Sequence, residues 1–236
     1  MSGRHASGSS SPFGSRALRL GMRGGQVSLL QFYLDVAGYR TAVDGYFGPG
    51  TKKSVMNFQR SWGLSPSGVV RQPDGRALGG KVQQIDSVKP NGRTRINRDG
   101  TATATSNAPP VVQWMISAAN HIIDTSYCVG GGHGSWKSSC YDCSGAVSYA
   151  LHGGYLLSSS EDSSQLESYG DPGRGKWVTI YADASHAFIV VDGRAFDTAD
   201  FGGPNRPSGT GPRWRSNPRG NLADGGHYIV RHPPGL

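Results

Sequence analysis

The chain has 236 residues, which is enough for one large domain or two smaller ones. Hydrophobic residues make up 36% and charged residues 17%, and the 36 glycines, about twice the usual share, favour turns and loops over a helical bundle. No apolar run approaches the length of about 18 residues that spans a bilayer, so we expect no transmembrane helix.

The net charge of +8 is unevenly distributed. Residues 1–110 contain 15 Lys and Arg against 5 Asp and Glu, whereas residues 111–236 contain 9 against 11. A basic first half is attracted to polyanions, but it has no zinc-finger spacing, basic helix or aromatic RNA-binding signature, so we expect no nucleic-acid partner. A bacterial wall, with its carboxylates and phosphate polymers, is also a polyanion. A basic surface that only confers solubility is the alternative.

Two short helices are predicted after a disordered segment at residues 1–19. Residues 24–38 carry apolar side chains at helical spacing and end at a glycine. The turn-rich segment TAVDGYFGPG follows, and Thr51 is expected to cap a second helix over residues 51–62. Two such helices around a glycine-rich loop form a small core without an enclosed cleft, which suits binding better than catalysis.

The motifs of this region occur in a specific order, namely an LQ pair, the loop DGYFGPGT and an FQ–GL pair. With this order, residues 20–80 resemble the peptidoglycan-binding domain of the three-helix type. The resemblance implies bacterial peptidoglycan as the ligand and a wall-binding loop built from Asp44, Gly45, Phe47, Gly48 and Thr51. We expect Phe47 to belong to the core. The third helix is poorly marked, because RQPDGRALGGKVQQI is rich in Gly and Pro.

Residues 81–108 are polar and basic, contain Gly and Pro, and show no sustained apolar period, so we predict a linker with at most a short strand. Such a linker would raise the effective concentration of substrate for a second domain while the first holds the wall. The second domain is predicted over residues 109–236. It opens with two prolines, which suit a first helical turn, followed by the apolar-faced helix VVQWMISAANHIIDT.

The chain has three cysteines, Cys128, Cys140 and Cys143. The Cys-x-x-Cys spacing of the last two, together with Cys128 and His133, offers four ligands that zinc accepts. Alternatively, a disulfide between Cys128 and Cys140 would leave Cys143 free, which suits an exported protein. The sequence leaves the state of Cys128 and Cys140 open.

A helix is predicted to begin at or near Cys143 and to end at Gly153-Gly154. A nucleophilic cysteine benefits from that position, because the helix dipole and the unpaired N–H groups favour the thiolate over the thiol. The same N–H groups can stabilise the oxyanion that forms when a thiolate attacks a carbonyl. We therefore predict Cys143 as a nucleophile.

A base for this thiolate is predicted on the strands that follow. His186 opens the apolar strand HAFIVV, and Asp192-Gly193 is a strong two-residue hairpin signal. The returning strand brings Asp197 back to the level of His186, where its carboxylate can hold the imidazole in the productive tautomer.

The motif Asp-Cys-Ser-Gly on a predicted helix is followed by His-Ala-Phe on a predicted strand. With these motifs in this order, the second half of the chain resembles the NlpC-type cysteine peptidases, a papain-like cell-wall family. The resemblance covers residues 110–236 and implies Cys143 as nucleophile, His186 as base and a polar third residue, for which Asp197 matches best. Tyr127 matches the tyrosine beside the nucleophile. The family usually hydrolyses stem peptides, often between D-glutamate and diaminopimelate. An extra cysteine in KSSCYDC and a long Gly/Pro-rich tail after Asp200 depart from its pattern.

The fold prediction is therefore α+β, with a papain-like NlpC-type domain of N-terminal helices on an antiparallel sheet behind a small all-α three-helix domain. Substrate-binding roles are assigned to five residues around the nucleophile, namely Asp142, Ser144, Gly145, Gly131 and His133. His133 could line the cleft, bind a metal or lie in a flexible loop, and we favour the flexible loop.

We expect a monomeric, secreted or wall-associated peptidoglycan hydrolase without cofactor or metal. The first twenty residues show no secretory signal, so export by another route, a signal missing from this sequence and action from inside the cell all stay open. A non-catalytic wall-binding protein, or a thiol amidase or acyltransferase on the same scaffold, are the alternatives.

Overall fold

The computed structural model describes residues 13, 16–85, 90–199, 211–216 and 227–236. It has a mixed α+β architecture that begins with three helices, α1 (Gly25–Val36), α2 (Pro49–Ser61) and α3 (Gln72–Gln83). Their inward faces bury aliphatic and aromatic side chains, and Phe47 of the connecting loop is fully buried among them. The expected small all-α unit, including Phe47 in its core, is therefore present.

Two details of the helical unit differ from the prediction. The second helix begins at Pro49, with Gly48 as the N-cap, because proline suits the first helical position. Thr51 therefore lies inside the helix and does not cap it. The third helix forms despite its Gly and Pro content, and the Asp74 carboxylate accepts a hydrogen bond from the Arg71 N–H at its start (2.8 Å).

Gln31 organises the loop between α1 and α2 from a buried position. Its Nε2 donates to Asp44 Oδ1 (2.8 Å), the Tyr46 carbonyl (2.9 Å) and Thr51 Oγ1 (3.0 Å). Its Oε1 accepts hydrogen bonds from the backbone N–H groups of Asp44 (3.0 Å) and Gly45 (2.8 Å). One side chain thus satisfies polar groups from four loop and helix residues.

We expect Gln31→Leu to lower the free energy of unfolding by about 3 kcal/mol, because it leaves several loop polar groups without their partner. Denaturant unfolding of the full chain measures this loss. Gln72→Leu, which replaces an exposed glutamine at the start of α3, serves as the matched control and should change stability little. Equal unfolding midpoints for the two variants would contradict the organising role of Gln31.

The second half of the chain packs helices against an antiparallel sheet. Helices α4 (Pro110–Asn120), α5 (Cys143–Gly153) and the short α6 (Ser163–Leu166) follow a two-stranded ribbon of β1 (Arg95–Ile96) and β2 (Ala102–Thr103). The six sheet strands are β3 (Asp171–Pro172), β4 (Val178–Ala182), β5 (Ala187–Val191), β6 (Arg194–Asp197), β7 (Arg213–Arg215) and β8 (Ile229–His232). Their order across the sheet is β3-β8-β4-β5-β6-β7, and all pairs are antiparallel.

The stretch predicted as a linker is attached to the second half of the chain. Its first residues complete α3, and Thr94 Oγ1 donates to the buried Asp192 carboxylate (2.8 Å), which also accepts from the Thr105 N–H (2.9 Å). The Ala102 N–H donates to Asn120 Oδ1 of α4 (2.8 Å). Residues 94–105 therefore pack onto the sheet and α4 and do not form a free tether.

The two halves share one buried hydrophobic cluster, which extends from α1 to the sheet. The Tyr33 hydroxyl of α1 donates to the Pro234 carbonyl (2.6 Å), and a Cβ added at Gly25 would lie 2.1 Å from the Tyr155 ring. Lys176 Nζ also donates to the Ile85 carbonyl (2.8 Å). These contacts join the helical unit directly to the second unit.

The segment predicted to be disordered, residues 1–19, is ordered where it is described. Phe13 is buried and makes an edge-to-face contact with Tyr33. Leu18 is also buried and exchanges two backbone hydrogen bonds of 2.9 Å with Val70. The prediction is wrong for these residues, because apolar side chains amid Ser and Gly fill the helical core. The remainder, and the tail from Asp200 to residue 210, lie outside the described residues.

No helix in the described ranges is both long and apolar enough to cross a membrane.

Candidate functional site

Cys143 is the first residue of α5, as the sequence predicts, and it is buried. Asp142 is the N-cap, and its Oδ1 accepts a hydrogen bond from the Gly145 N–H (2.7 Å). The first N–H groups of a helix have no partner within it, and the positive end of the helix dipole lies there. The thiol therefore lies where negative charge on sulfur is stabilised.

His186 and Asp197 meet across the predicted hairpin of β5 and β6. Asp192 and Gly193 form the two-residue turn with positive φ values of 46° and 79°, which matches the twist of the flanking strands. His186 Nε2 lies 2.9 Å from Asp197 Oδ1, and the Asp197 side chain is fully buried. That carboxylate also accepts the backbone N–H of Thr198 (2.7 Å), which fixes its orientation.

Cys143 lies close enough to His186 for its side chain to act, with Asp197, on the pKa of the imidazole. Burial acts to lower the pKa of His186, but the hydrogen bonds and negative charges of Asp197 and Cys143 outweigh it and raise the pKa to about 10. The structure therefore places a protonated imidazole next to the sulfur of a candidate nucleophile. Such a pair can attack a carbonyl and then supply a proton.

Tyr127 lies close to this pair. Burial, followed by the nearby charges of Cys143 and Asp142, raises the pKa of its hydroxyl. The Tyr127 hydroxyl therefore keeps its proton and can donate a hydrogen bond next to the sulfur. The structure thus brings Cys143, His186, Asp197 and Tyr127 to one place.

The predicted substrate-binding residues form a network behind the nucleophile. His133 Nε2 lies 3.0 Å from Asp142 Oδ1 and 3.1 Å from Ser144 Oγ. Its Nδ1 lies 3.1 Å from Ser160 Oγ, a residue that the sequence analysis missed. The flexible-loop interpretation of His133 is therefore wrong, because both ring nitrogens have partners. No local signal marks Ser160, since it lies 27 residues away from His133.

Gly131 and Gly145 are buried against each other. A Cβ at Gly145 would lie 2.0 Å from the Gly131 carbonyl oxygen, and one at Gly131 would lie 2.6 Å from Cys128 Sγ. Asp142 also accepts the Gly130 N–H with Oδ2 (2.9 Å). These glycines therefore allow the loop before α5 to pack closely on the helix, and they do not line an open surface.

A disulfide joins Cys128 and Cys140 and leaves Cys143 free. This pairing removes two of the four ligands that the zinc alternative requires, and His133 is bonded to Asp142 instead. Within the ranges given above, no three His, Cys, Asp or Glu side chains are grouped so that they could hold a metal ion. The zinc set of Cys128, Cys140, Cys143 and His133 is therefore not formed.

The predicted wall-binding loop is ordered by buried contacts. Phe47 is in the core, Gly45 adopts a positive φ of 72°, and Asp44 and Thr51 bond to Gln31. These residues shape the loop, while a groove of about 600 Å³ opens beside it, with the exposed Arg40 and Lys53 on its lining. The organising role of Gln31 was not predicted, although the LQ motif includes this residue.

Comparison with known families identifies the class of the helical unit. Residues 23–70 match the family described as a peptidoglycan binding domain. Residues 23–70 therefore form a peptidoglycan-binding domain. The match covers only this part of the chain.

A curated relative is the zinc D-Ala-D-Ala carboxypeptidase of Streptomyces albus G, which is 34% identical over 141 residues. The alignment covers 52% of this chain and 52% of the relative, so the chain spans about half the length of that protein.

Among solved structures, the SleB N-terminal domain is 34% identical, covering 28% of this chain and 92% of its own, with a TM-score of 0.27. The Burkholderia AP3 phage endolysin is 28% identical, covering 37% of this chain and 43% of its own, with a TM-score of 0.26.

Proposed function

We propose that the chain is a peptidoglycan hydrolase that cleaves a peptide bond in the stem peptide by a thiol mechanism. The observation that carries the proposal is the His186 imidazole, which bonds to the buried Asp197 carboxylate at 2.9 Å and lies close enough to Cys143 for that side chain to act on its pKa. The peptidoglycan-binding domain at residues 23–70 supplies the substrate class.

The first half of the proposed reaction forms a thioester. The Cys143 thiolate attacks the stem-peptide carbonyl carbon, and the N–H groups of Cys143 and Ser144 are the oxyanion donors, since Asp142 occupies that of Gly145. The C–N bond then breaks, and the amine leaves with the proton from the His186 imidazolium. Asp197 holds the ring so that its other nitrogen faces the sulfur.

The second half regenerates the enzyme. His186, now neutral, accepts a proton from water, whose oxygen attacks the thioester carbon. The C–S bond breaks, the Cys143 thiolate is released, and the imidazolium is restored. The product is a stem peptide with a new carboxylate. The helices packed on an antiparallel sheet agree with the NlpC-type, papain-like scaffold that the sequence motifs imply, and a D-glutamyl–diaminopimelate bond is the corresponding target.

Product analysis of digested peptidoglycan by mass spectrometry tests the function. We expect peptide fragments with a new amino terminus, and we expect pre-treatment with iodoacetamide to stop their release while a zinc chelator does not. Iodoacetamide is selective here, because Cys143 is the free cysteine and the other two are joined. Loss of activity to the chelator alone would favour the chemistry that the name of the Streptomyces relative describes.

The same digest separates the alternatives. A thiol amidase would release whole stem peptides from the glycan, and an acyltransferase would join peptides instead of hydrolysing them. A non-catalytic wall-binding protein would bind the wall and release nothing.

A further inference from the structure

The disulfide between Cys128 and Cys140 closes a loop that ends three residues before the candidate nucleophile. Tyr127 of the candidate site directly precedes the first of these cysteines. The Tyr141 N–H donates to the Ser126 carbonyl (3.0 Å), so the segments that enter and leave the loop lie side by side. One covalent bond thus joins the segment that carries Tyr127 to the segment that leads into α5.

The first turn of this loop is packed between the disulfide and the start of α5. The Gly131 N–H donates to the Cys128 carbonyl (3.0 Å), and the Gly131 carbonyl accepts the Asp142 N–H (3.2 Å). The Gly130 N–H donates to Asp142 Oδ2 (2.9 Å). A Cβ added at Gly131 would lie 2.6 Å from Cys128 Sγ, so the turn packs directly against the disulfide. The position of the N-cap carboxylate is therefore tied to that of the disulfide.

The disulfide is within reach of small thiols from solution. Cys128 and Cys140 are both partly exposed, and neither belongs to the buried hydrophobic cluster that the two halves of the chain share. The neighbouring Val129 is 90% exposed. Breaking this cross-link therefore leaves the core packing in place and lets the loop open locally.

We propose that the disulfide of Cys128 and Cys140 is a reversible redox modification site that sets the reactivity of Cys143. In the reduction, a dithiol supplies two electrons and two protons. The S–S bond of the protein breaks, each sulfur gains a hydrogen, and the dithiol becomes a disulfide. A small disulfide oxidant takes the two electrons and two protons back and restores the cross-link.

The effect on the nucleophile follows from the contacts around the disulfide. Two unbonded sulfurs need more room than a disulfide, so the Gly131 turn that packs against them has to shift. Asp142 then loses the backbone contacts that hold it at the start of α5, and Tyr127 is no longer fixed beside the sulfur. The disulfide form is therefore the reactive form and the dithiol form the slow one. If the chain has the proposed function, on which this consequence rests, the hydrolase is slow in a reducing compartment and reaches its full rate in an oxidising one.

The test measures how fast iodoacetamide alkylates Cys143 in the full chain, read by tandem mass spectrometry, before and after reduction with dithiothreitol and removal of that reagent. We expect reduction to slow the alkylation about tenfold or more, because small misplacements of the groups around a reacting atom have effects of at least that size. Oxidised glutathione should restore the original rate. Fragment release from peptidoglycan should fall and recover in parallel.

Two variants serve as controls. Cys128→Ser with Cys140→Ser lacks the cross-link, so its Cys143 should react at the slow rate with or without reductant. Ser139→Ala removes one oxygen from an exposed side chain of the same loop and keeps the disulfide, so it should respond to reductant as the unsubstituted chain does.

Equal alkylation rates of the oxidised and reduced chain would overturn the proposal, as would a response to reductant in the variant without the cross-link. Loss of the folded state on reduction, followed by circular dichroism, would also overturn it, because the disulfide would then only stabilise the fold. If the oxidised chain releases no stem peptide but the difference in alkylation persists, the hydrolase proposal fails and this one stands.

Discussion

Cys143→Ala is expected to lower release of stem-peptide fragments by about 10⁴-fold or more, because the proposed reaction has no other nucleophile. Binding to peptidoglycan should be unchanged, since the binding domain at residues 23–70 does not include this residue. Fragment release is followed by chromatography of soluble products, and wall binding by co-sedimentation.

The control for this substitution is Ser158→Ala, which removes one oxygen from an exposed side chain. It should retain full activity and the same thermal midpoint as the unsubstituted chain. Activity of Cys143→Ala within tenfold of the control would remove the thiol mechanism, whatever the products are.

Asp197→Asn is expected to reduce the maximal rate by about 10²-fold or more and to shift the alkaline limb of the pH–rate profile. With Asp197 present, His186 has a pKa raised to about 10, so it keeps its proton and activity should decline only as the pH rises through about 10. An amide carries no charge to hold that proton. The decline should therefore move down by at least about one pH unit.

The measurement is a pH–rate profile of both forms, with Asp35→Asn as a control that removes an exposed carboxylate from the helical unit. The control should reproduce the original profile. If Asp197→Asn lost activity uniformly at all pH values, Asp197 would contribute to structure and not to the protonation of His186.

The features closest to the chemistry were predictable because they depend on short stretches of sequence. The start of α5 at Cys143 follows from Asp-Cys-Ser-Gly, which supplies a capping carboxylate. The Asp192-Gly193 turn sets the register that places Asp197 beside His186. In both cases the determining residues are neighbours in the chain, so local rules suffice.

Other features depend on contacts between distant residues and could not be predicted. The third helix contains Gly75, Gly79 and Gly80, which disfavour helix, but Leu78 and Val82 are buried in the shared core and supply the stability that propensity lacks. The edge strands β3 and β7 and the inner strand β8 are only two to four residues long, too short to show a period. The linker prediction was wrong for its second half because Thr94 finds its partner, Asp192, 98 residues further on.

The hydrogen bond from Tyr33 to Pro234 and the shared core around it have a consequence for how the proposed enzyme would work on a wall. A binding domain packed rigidly against the catalytic domain does not let that domain move around its attachment point, as a flexible linker would. Each time the binding domain attaches to the wall, the candidate active site would reach only those cross-links that lie at one fixed distance and orientation from it. Cleavage of further cross-links would then require the binding domain to dissociate and bind again. A binding affinity that is too high would therefore slow digestion of the peptidoglycan.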